Sequence, residues 1–363
     1  MNILILNWRD IKNPAGGGAE ILTHEMAKRW VKWGNRVTQF SSKFPGAQEN
    51  EIIDGVRFIR KGQWWNVHIL AFFYYFLSLK NNTDVVIDEV HWFPFFSKVY
   101  NKKTVLLACE VAKNLFPNIF SFPLSAFWRS IEKIYVSYYR NVPTLAISDS
   151  TKKDLVGEGF SAQNITVIPM GLSLPKGISL QKKEKNPTVI YLGRMNKQKG
   201  VEDVIDAFSK IHLEISSAKL WLVGSGQKDY LEYLKNKVTN LNMKNDTVFW
   251  GFVSEEKKFE LLGKAHILLM PSVHEGWGLV IPEAGYMGTP SVAYDVSGSR
   301  DVIQDEKTGL LAYKNPSDLA SKTVRLLRDK NLYQLLQHNA IVLAKVYNWD
   351  NTARIALQVL ENL

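Results

Sequence analysis

The sequence predicts an α/β protein made of two Rossmann-like domains that face each other across a cleft. Three observations support this prediction. The length of 363 residues suits two domains better than one. Apolar strand patterns alternate with helical patterns in the first half, and the same alternation starts again in the second. Between the halves, residues 169–187 contain glycine, proline and a run of charges, which is typical of a linker.

The first half contains the elements of one parallel sheet. NILILN is the first strand, and AEILTHEMAKRWVKWG is a helix that ends at Gly34. Apolar runs of this kind are typical of strands that are buried on both faces. We therefore expect an N-terminal domain over residues 1–168. Its further strands are RVTQFSS, GVRFIRK, DVVIDEV, TVLLACE and TLAISDS.

The second half repeats the alternation and predicts a domain over residues 188–347. Ser254 is placed to cap the helix SEEKKFELLGKA. The closing stretch 348–363 is helical from about Trp349, with Asn348 or Asp350 as its cap, and is expected to return to the first domain. The predicted strands are PTVIYLGR, AKLWLVGSG, TVFWGFV, HILLMPS and PSVAYDV, and the other helices are GVEDVIDAFSKI and DYLEYLKNKVTNL.

Composition excludes several classes of protein. Hydrophobic residues make up 46% and charged residues 22%, as in a globular protein. The single cysteine, Cys109, excludes an intrachain disulfide and a cysteine-rich zinc site. The longest apolar run, at 69–79, is about half of a membrane span. MNILILNW resembles a buried strand rather than a signal peptide, because no basic segment precedes it.

The net charge of +10 indicates an anionic partner, which is a membrane surface, a phosphorylated substrate or a nucleic acid. The loop NPAGGGAE places Gly16, Gly17 and Gly18 between the first strand and the first helix. Backbone N–H groups of such a loop can approach an anion, although a flexible turn would look the same. The pattern is not G-x-G-x-x-G, which gives a nicotinamide site little support.

In the second half, YLGRMNKQKG puts Arg194 after a strand and Lys199 before a helix. The carboxyl ends of parallel strands bind ligands, so these cations are candidates for holding a diphosphate. Two solvated loop charges are the alternative. Gly224 and Gly226 end another strand at the same edge, where a tight turn would also require glycine.

HEGWGLVIPEA, at 274–284, contains two glutamates on either side of a predicted helix start. Pro282 suits the first helical position, which puts Glu283 in the first turn, where the helix dipole favours a carboxylate. Glu275 lies in the preceding loop. In the first half, His91 and Glu110 follow strands, although a histidine beside aromatic residues is more often part of a core.

Together these motifs resemble glycosyltransferase family 4, the retaining GT-B enzymes, along nearly the whole chain. The residues that carry the resemblance are the Gly16–Gly18 loop, ISDSTKKDL, VIPMG, YLGRMNKQKG, LVGSG, PSVHEGWGLVIPEAGYMGTPSVA and NWD. Two departures concern acceptor contacts: SGSRD replaces a glycine-glycine-x-proline-glutamate segment, and Cys109 stands where related sequences have histidine.

The resemblance implies a role for each matching residue. Arg194 and Lys199 would neutralise the leaving diphosphate, Glu275 would contact the transferred sugar, and Glu283 would bind the ribose. His91 would lie near the reacting face of the sugar. No metal is expected, because D-x-D is absent, and no cofactor. The donor would be a UDP- or GDP-linked sugar, and its phosphates would be bound by backbone groups at Gly17, Gly18, Gly224, Gly278 and Leu279.

Aromatic and basic residues of the first domain indicate a membrane-associated acceptor. Trp and Tyr with Lys and Arg are typical of a bilayer interface, so a lipid-linked acceptor at the cytoplasmic face of the cell membrane is expected. Packing of these aromatics in the core is the alternative. Other functions left open are transfer to a soluble acceptor, nucleotide-sugar epimerisation, an inactive scaffold and a nucleic-acid module, which would not explain the second-domain motifs. The candidate acceptor and membrane residues are Lys28, Arg29, Trp30, Lys32, Trp33 and Glu110.

Overall fold

The computed structural model describes residues 1–90, 93–111, 121–273 and 275–363. The chain divides into two compact units. The first contains Met1–Gly171 together with Asn348–Leu363, and the second contains Leu172–Tyr347. Both are α/β with largely parallel sheets, and the C-terminal helix belongs to the first unit, so the predicted fold class is confirmed. Most of the segment predicted as a linker belongs to the second unit.

In the described residues, the first unit builds an eight-stranded sheet in the order β3-β4-β2-β1-β5-β6-β7-β8. β1 is central because its residues 3–6 are buried on both faces. Ile3 pairs with Val37 on one side and with Val85 on the other, and both pairings are parallel. The strands are β1 Asn2–Leu6, β2 Arg36–Ser41, β3 Asn50–Ile53, β4 Val56–Arg60, β5 Val85–Val90, β6 Thr104–Ala108, β7 Thr144–Ala146 and β8 Ile165–Val167.

β3 is a strand that the sequence analysis does not predict. It pairs antiparallel with β4 through a tight turn at Asp54 and Gly55, which have φ of 50° and 82°. Aspartate followed by glycine is a strong hairpin signal, because both positions need positive φ. The helices that cover this sheet are α1 Gly18–Lys32, α2 Val67–Tyr74, α3 Leu124–Tyr139 and α4 Asp149–Gly157.

Within its described part, the second unit builds a six-stranded parallel sheet in the order β11-β10-β9-β12-β13-β14. The chain enters at β9 and winds outward first through β10 and β11, then in the other direction through β12. The strands are β9 Thr188–Leu192, β10 Lys219–Val223, β11 Thr247–Gly251, β12 Ile267–Met270, β13 Ser291–Tyr294 and β14 Gly309–Ala312. The helices are α5 Val201–Glu214, α6 Lys228–Asn240, α7 Glu255–Lys264, α8 Val280–Tyr286, α9 Ser299–Val302, α10 Pro316–Arg328 and α11 Lys330–Ala344.

The last helix, α12 (Trp349–Glu361), is capped by Asn348, whose side chain accepts from the N–H of Asp350. It packs on α1, where the indole N–H of Trp30 donates to the carbonyl of Ala353 at 2.8 Å. Trp30 is fully buried by this contact. Its assignment to an acceptor or membrane surface is therefore wrong, because the returning helix covers the face of α1 on which it lies.

Membrane-spanning segments were expected to be absent. Across the described ranges, no helix is long and apolar enough to cross a bilayer.

Candidate functional site

The predicted donor residues of the second unit meet at the carboxyl edge of its sheet. β9 lies between β10 and β12, which is where the winding direction reverses. Arg194 follows β9, Gly224 follows β10, and Glu275 lies in the loop after β12. Doubly wound sheets bind ligands at such a reversal, because the loops on either side diverge and leave a crevice.

Lys199 and Glu275 form an ion pair across this edge. The ammonium nitrogen of Lys199 lies 2.6 Å from Oε2 of Glu275, and both side chains are largely buried. Asn196 holds the turn that carries Lys199, because its side chain accepts from the Lys199 backbone N–H at 3.0 Å. The two loops are also joined directly, since the N–H of Val273 donates to the carbonyl of Gln198 at 3.0 Å. The pair is thus built into two connected loops.

Arg194 is exposed at the same edge, and its backbone is fixed by Tyr191. The phenol of Tyr191 donates to the carbonyl of Arg194 at 2.8 Å. Burial, and then the charge of Glu275, raise the pKa of Tyr191, which therefore stays a neutral donor. Within the described residues no carboxylate forms an ion pair with Arg194, so its guanidinium is available to an anionic ligand.

Two glycines allow the close backbone packing of this edge. Gly224 has φ of 132°, and a Cβ there would lie 1.9 Å from the carbonyl oxygen of Gly193. Gly298 has φ of 83°, and a Cβ would lie 2.4 Å from the carbonyl oxygen of Glu275. Gly298 belongs to SGSRD, the segment that departs from the family pattern. The backbone of Gly298 packs against the Glu275 carbonyl, a contact that the sequence analysis does not predict.

Glu283 is buried near the start of α8 and is paired with Lys258 of α7. The Lys258 ammonium lies 2.9 Å from Glu283 and 2.7 Å from Glu255. Burial raises the pKa of Glu283, and Lys258 opposes that rise. Burial alone would lower the pKa of Lys258, but Glu283 and Glu255 raise it. Lys258 therefore limits the rise in the pKa of this buried carboxylate, and it is a residue of the candidate site that sequence reasoning missed.

The start of α8 differs from the prediction. The helix begins at Val280 with Leu279 as its N-cap, so Pro282 is its third residue rather than its first. Glu283 still lies in the first turn. Gly278, with φ of 81°, and Leu279 lead directly into the helix.

In the first unit, Gly17 caps α1 and Gly18 is its first residue. The N–H of Gly17 donates to Oε2 of Glu20 at 2.6 Å, and the other oxygen of Glu20 accepts from Nε of Arg9 at 2.8 Å. Glu20 thus occupies the N–H group that was predicted to bind phosphate. An anion can reach Gly17 only if this carboxylate moves away.

The first unit also contains a buried carboxylate, Glu89, near the carboxyl end of β5. Glu89 accepts hydrogen bonds from the side chains of Asn7 and Thr23, each at 2.7 Å. The sulfur of Cys109 lies 3.9 Å from Glu89. Burial, followed by the charge of Glu89, raises the pKa of Cys109, so the thiol stays protonated. Glu110 is half-buried beside it. His91 lies outside the described residues.

The basic residues predicted to meet the acceptor or membrane are distributed along the last two turns of α1. Lys28 is paired with Glu25 at 2.6 Å, and Arg29 with Asp350 of α12 at 2.5 Å. Lys32 and Trp33 are exposed. Arg29 therefore takes part in the contact between α1 and α12, Lys28 pairs within α1, and Lys32 and Trp33 are the exposed members of these four.

Residues suited to holding a metal are not grouped in the part of the chain that the structure describes. Among the described residues, no set of three or more His, Cys, Asp or Glu side chains is arranged to bind an ion. The expectation of a reaction without metal or cofactor stays a prediction.

Two family models match the chain, one in each half. Residues 16–175 match Glycosyltransferase Family 4, and residues 178–342 match Glycosyl transferases group 1. An uncharacterized glycosyltransferase of Methanocaldococcus jannaschii is 31% identical over 243 residues, which are 62% of this chain. The match spans 61% of that relative's own length.

Solved structures share the fold along the whole chain. Sucrose-phosphate synthase from Thermosynechococcus elongatus superposes with a TM-score of 0.81 and 19% identity, covering 99% of this chain and 98% of that one. Anabaena HepE in complex with UDP-glucose gives a TM-score of 0.74 and 19% identity, covering 100% and 99%. At these identities the likeness concerns the fold.

Proposed function

Because the chain belongs to the GT-B glycosyltransferases of the family 4 type, we propose that it transfers a hexose from a UDP- or GDP-linked donor to an acceptor hydroxyl. The observation that carries the proposal is the Lys199–Glu275 ion pair, 2.6 Å long, beside the accessible Arg194. This site brings cations and a carboxylate together at the sheet edge where a nucleotide sugar would bind. Transfer is proposed to occur with retention and without a metal or cofactor.

The cations would stabilise the leaving group. Breaking the sugar–phosphate bond builds negative charge on the diphosphate, and Arg194 and Lys199 supply two positive charges at the same edge of the sheet. Tyr191 holds the backbone of Arg194 and Asn196 that of Lys199, which keeps both side chains at this edge of the sheet. A diphosphate would compete with Glu275 for the Lys199 ammonium.

Glu275 would then be released to the sugar. A carboxylate accepts hydrogen bonds from sugar hydroxyls and stabilises positive charge on the ring as the bond breaks. A front-face route would let the leaving phosphate oxygen take the proton of the acceptor hydroxyl on the same face. No side chain is assigned as a general base.

Glu283 would bind the ribose of the nucleotide. A carboxylate accepts from both ribose hydroxyls, and the Lys258 ammonium, 2.9 Å away, opposes the rise that burial causes in the pKa of Glu283. In the first unit, Gly17 and Gly18 would bind phosphate once Glu20 leaves the Gly17 N–H.

The acceptor is proposed to be a lipid-linked saccharide at the cytoplasmic face of the cell membrane, in the synthesis of a polysaccharide or glycoconjugate. The net charge of +10 supports an anionic surface as a partner. UDP as the donor nucleotide has the support of the fold shared with HepE, which was solved with UDP-glucose.

A donor screen by thermal shift tests the proposal. UDP or GDP, and then their hexose derivatives, should raise the melting temperature of the full chain, because a ligand that binds only the folded state stabilises it. Glu283→Gln should reduce that rise, whereas Glu232→Gln, on an exposed part of α6, should not. Absence of stabilisation by every nucleotide would contradict the proposal, and turnover of the sugar without an acceptor would favour an epimerase.

A further inference from the structure

The helix α2 is apolar on both of its faces. Val67, Ala71 and Tyr75 are buried in the core of the first unit, together with Leu79 of the π-helical turn Tyr75–Leu79 that continues α2. The opposite face is also apolar but is exposed. Helices that are apolar all round are normally covered on every side, so the outer face of α2 lacks a partner in the described chain. Its exposed side chains are Ile69, Phe72, Phe73, Phe76 and Leu77, preceded by Trp64 and Trp65.

A second exposed apolar stripe runs along α3. Leu124, Phe127, Ile134 and Tyr138 recur at helical spacing, and all four are exposed. The inner face of the same helix packs into a separate core through Tyr135 and Tyr139. This helix therefore also presents apolar side chains in two directions.

The two stripes are connected by the segment Ser97–Val99 and the residue after it. Phe72 of α2 stacks edge-on against Tyr100, with ring centroids 5.4 Å apart. Lys98 lies 4.7 Å above the ring of Tyr138 of α3 and donates to its carbonyl at 2.8 Å. Val99, between them, is exposed. Contiguous exposed apolar area of this kind marks an interaction surface rather than scattered surface residues.

The charge of this surface is positive, which favours an anionic partner. Residues 61–82 contain two basic residues, and 97–103 and 122–140 contain three each, whereas the only acidic residue in these ranges is Glu132. Glu132 is buried and bonded to Arg129. Lys80 lies 5.5 Å from the ring of Phe76 and Lys98 lies 4.7 Å from that of Tyr138, so basic side chains adjoin the apolar ones. A second copy of the chain would bring like charges together, which disfavours self-association.

We propose that the outer faces of α2, its π-helical turn and α3 dock together on an anionic lipid bilayer, as one surface named here the docking face. Apolar side chains would enter the boundary between headgroups and acyl chains, while lysines would reach the lipid phosphates. Trp64 and Trp65, just before α2, have the amphipathic rings that favour that boundary. The proposal rests on the proposed function in one respect, which is that a lipid-linked acceptor would require the enzyme to bind a membrane.

Vesicle co-sedimentation of the full chain tests the docking face. Vesicles of phosphatidylcholine with phosphatidylglycerol should bind the protein more tightly than phosphatidylcholine alone. Phe73→Ser/Leu77→Ser and Phe127→Ser/Ile134→Ser should each reduce binding by about tenfold or more. Each double variant removes two apolar side chains that are exposed in the free protein and would be buried in the lipid. The control Leu213→Ser/Val346→Ser, equally exposed but in the second unit, should bind like the wild type.

A fluorescent label gives a second measurement. Cys109 is buried and is the only cysteine, so Leu77→Cys offers one reactive thiol for an environment-sensitive dye. Vesicles should shift its emission to the blue, and the same dye on Leu213→Cys should not respond.

Vesicle binding tests the docking face, and nucleotide stabilisation tests the proposed function, so the two can fail independently. Loss of vesicle binding in both double variants, with nucleotide stabilisation unchanged, supports the docking face. Failure of the wild type to bind anionic vesicles overturns it, even if nucleotides still stabilise the chain. Wild-type binding by both double variants overturns it as well. A dimer in light scattering that the double variants disperse, without vesicle binding, would assign the surface to a second copy.

Discussion

The ammonium of Lys199 lies 2.6 Å from a carboxylate oxygen of Glu275, on the loops that follow two adjacent strands of the second sheet. Each charge is partly desolvated and is neutralised by the other in the absence of donor. We infer that donor binding exchanges this contact for two others, the ammonium with the diphosphate and the carboxylate with the sugar.

Replacing Lys199 should impair transfer far more than replacing its neighbour. Lys199→Ala removes a cation from the leaving diphosphate and leaves Glu275 without its partner, so kcat should fall about 100-fold or more. Lys197→Ala, an exposed residue of the same turn, should leave kcat within a small factor of wild type. Steady-state kinetics of both variants checks this, and equal loss in the two would argue against a specific role for Lys199.

Gly298→Ala should disturb Glu275 although it adds only a methyl group. The new Cβ would lie 2.4 Å from the Glu275 carbonyl oxygen, so the Glu275 loop must move, and a shift near 1 Å at a catalytic group can cost about 100-fold in rate. Gly288→Ala is the matched control, since its φ is also positive, at 68°, but its nearest atoms lie 3.4 Å away. Comparable activity of the two variants would show that Gly298 does not support Glu275.

The central strands could be predicted from sequence because they are apolar along their whole length. β1 and β12 are buried on both faces, and such runs stand out without knowledge of their neighbours. The edge strand β3 alternates between half-buried and exposed residues, so its pattern is weak. The turn at Asp54 and Gly55 was the sequence signal from which this strand could have been predicted.

The partners of the site residues could not be predicted in the same way. Lys258 lies on α7 and Glu283 on α8, and the sequence between them contains a complete strand and loop. Lysines are common in this chain, so only packing shows which one meets Glu283. Trp30 and Trp33 lie three residues apart in the same basic stretch at the end of α1, and only the position of α12 shows that one is buried and the other exposed.

Trp30 should be required for folding rather than for contact with lipid. Trp30→Ala removes a fully buried indole and its hydrogen bond to Ala353, which should lower the free energy of unfolding by about 3–5 kcal/mol. Trp33→Ala, at an exposed position, should have little effect on unfolding. Denaturant titration of both variants measures the difference, and similar stabilities would contradict the packing described for α1 and α12.

Lys183 should make the stability of the second unit depend on pH. Its ammonium donates to the carbonyl of Ala265 and to the hydroxyl of Thr289, and burial lowers its pKa from 10.5 to about 7. Between these values the unfolded chain binds the proton that the folded chain has lost. Stability should therefore rise with pH across this window, by up to about 1.4 kcal/mol per pH unit, and fall as pH drops toward 7.

Lys183→Met should remove that contribution, whereas Lys182→Met, at an exposed neighbouring position, should keep it. His266 lies beside Lys183, but burial and Lys183 lower its pKa to about 4, outside the window. Chemical unfolding across pH measures the three slopes, and an unchanged slope in Lys183→Met would show that this lysine titrates normally.

The most direct test of the account is the rate of nucleoside diphosphate release from UDP- and GDP-hexoses, measured with a membrane lipid extract as the source of acceptor. The wild type should release the diphosphate in a reaction that depends on the extract. Glu275→Ala should fold and still be stabilised by the nucleotide, but should release it about 100-fold more slowly or not at all. Full activity in Glu275→Ala would contradict the assignment of the site.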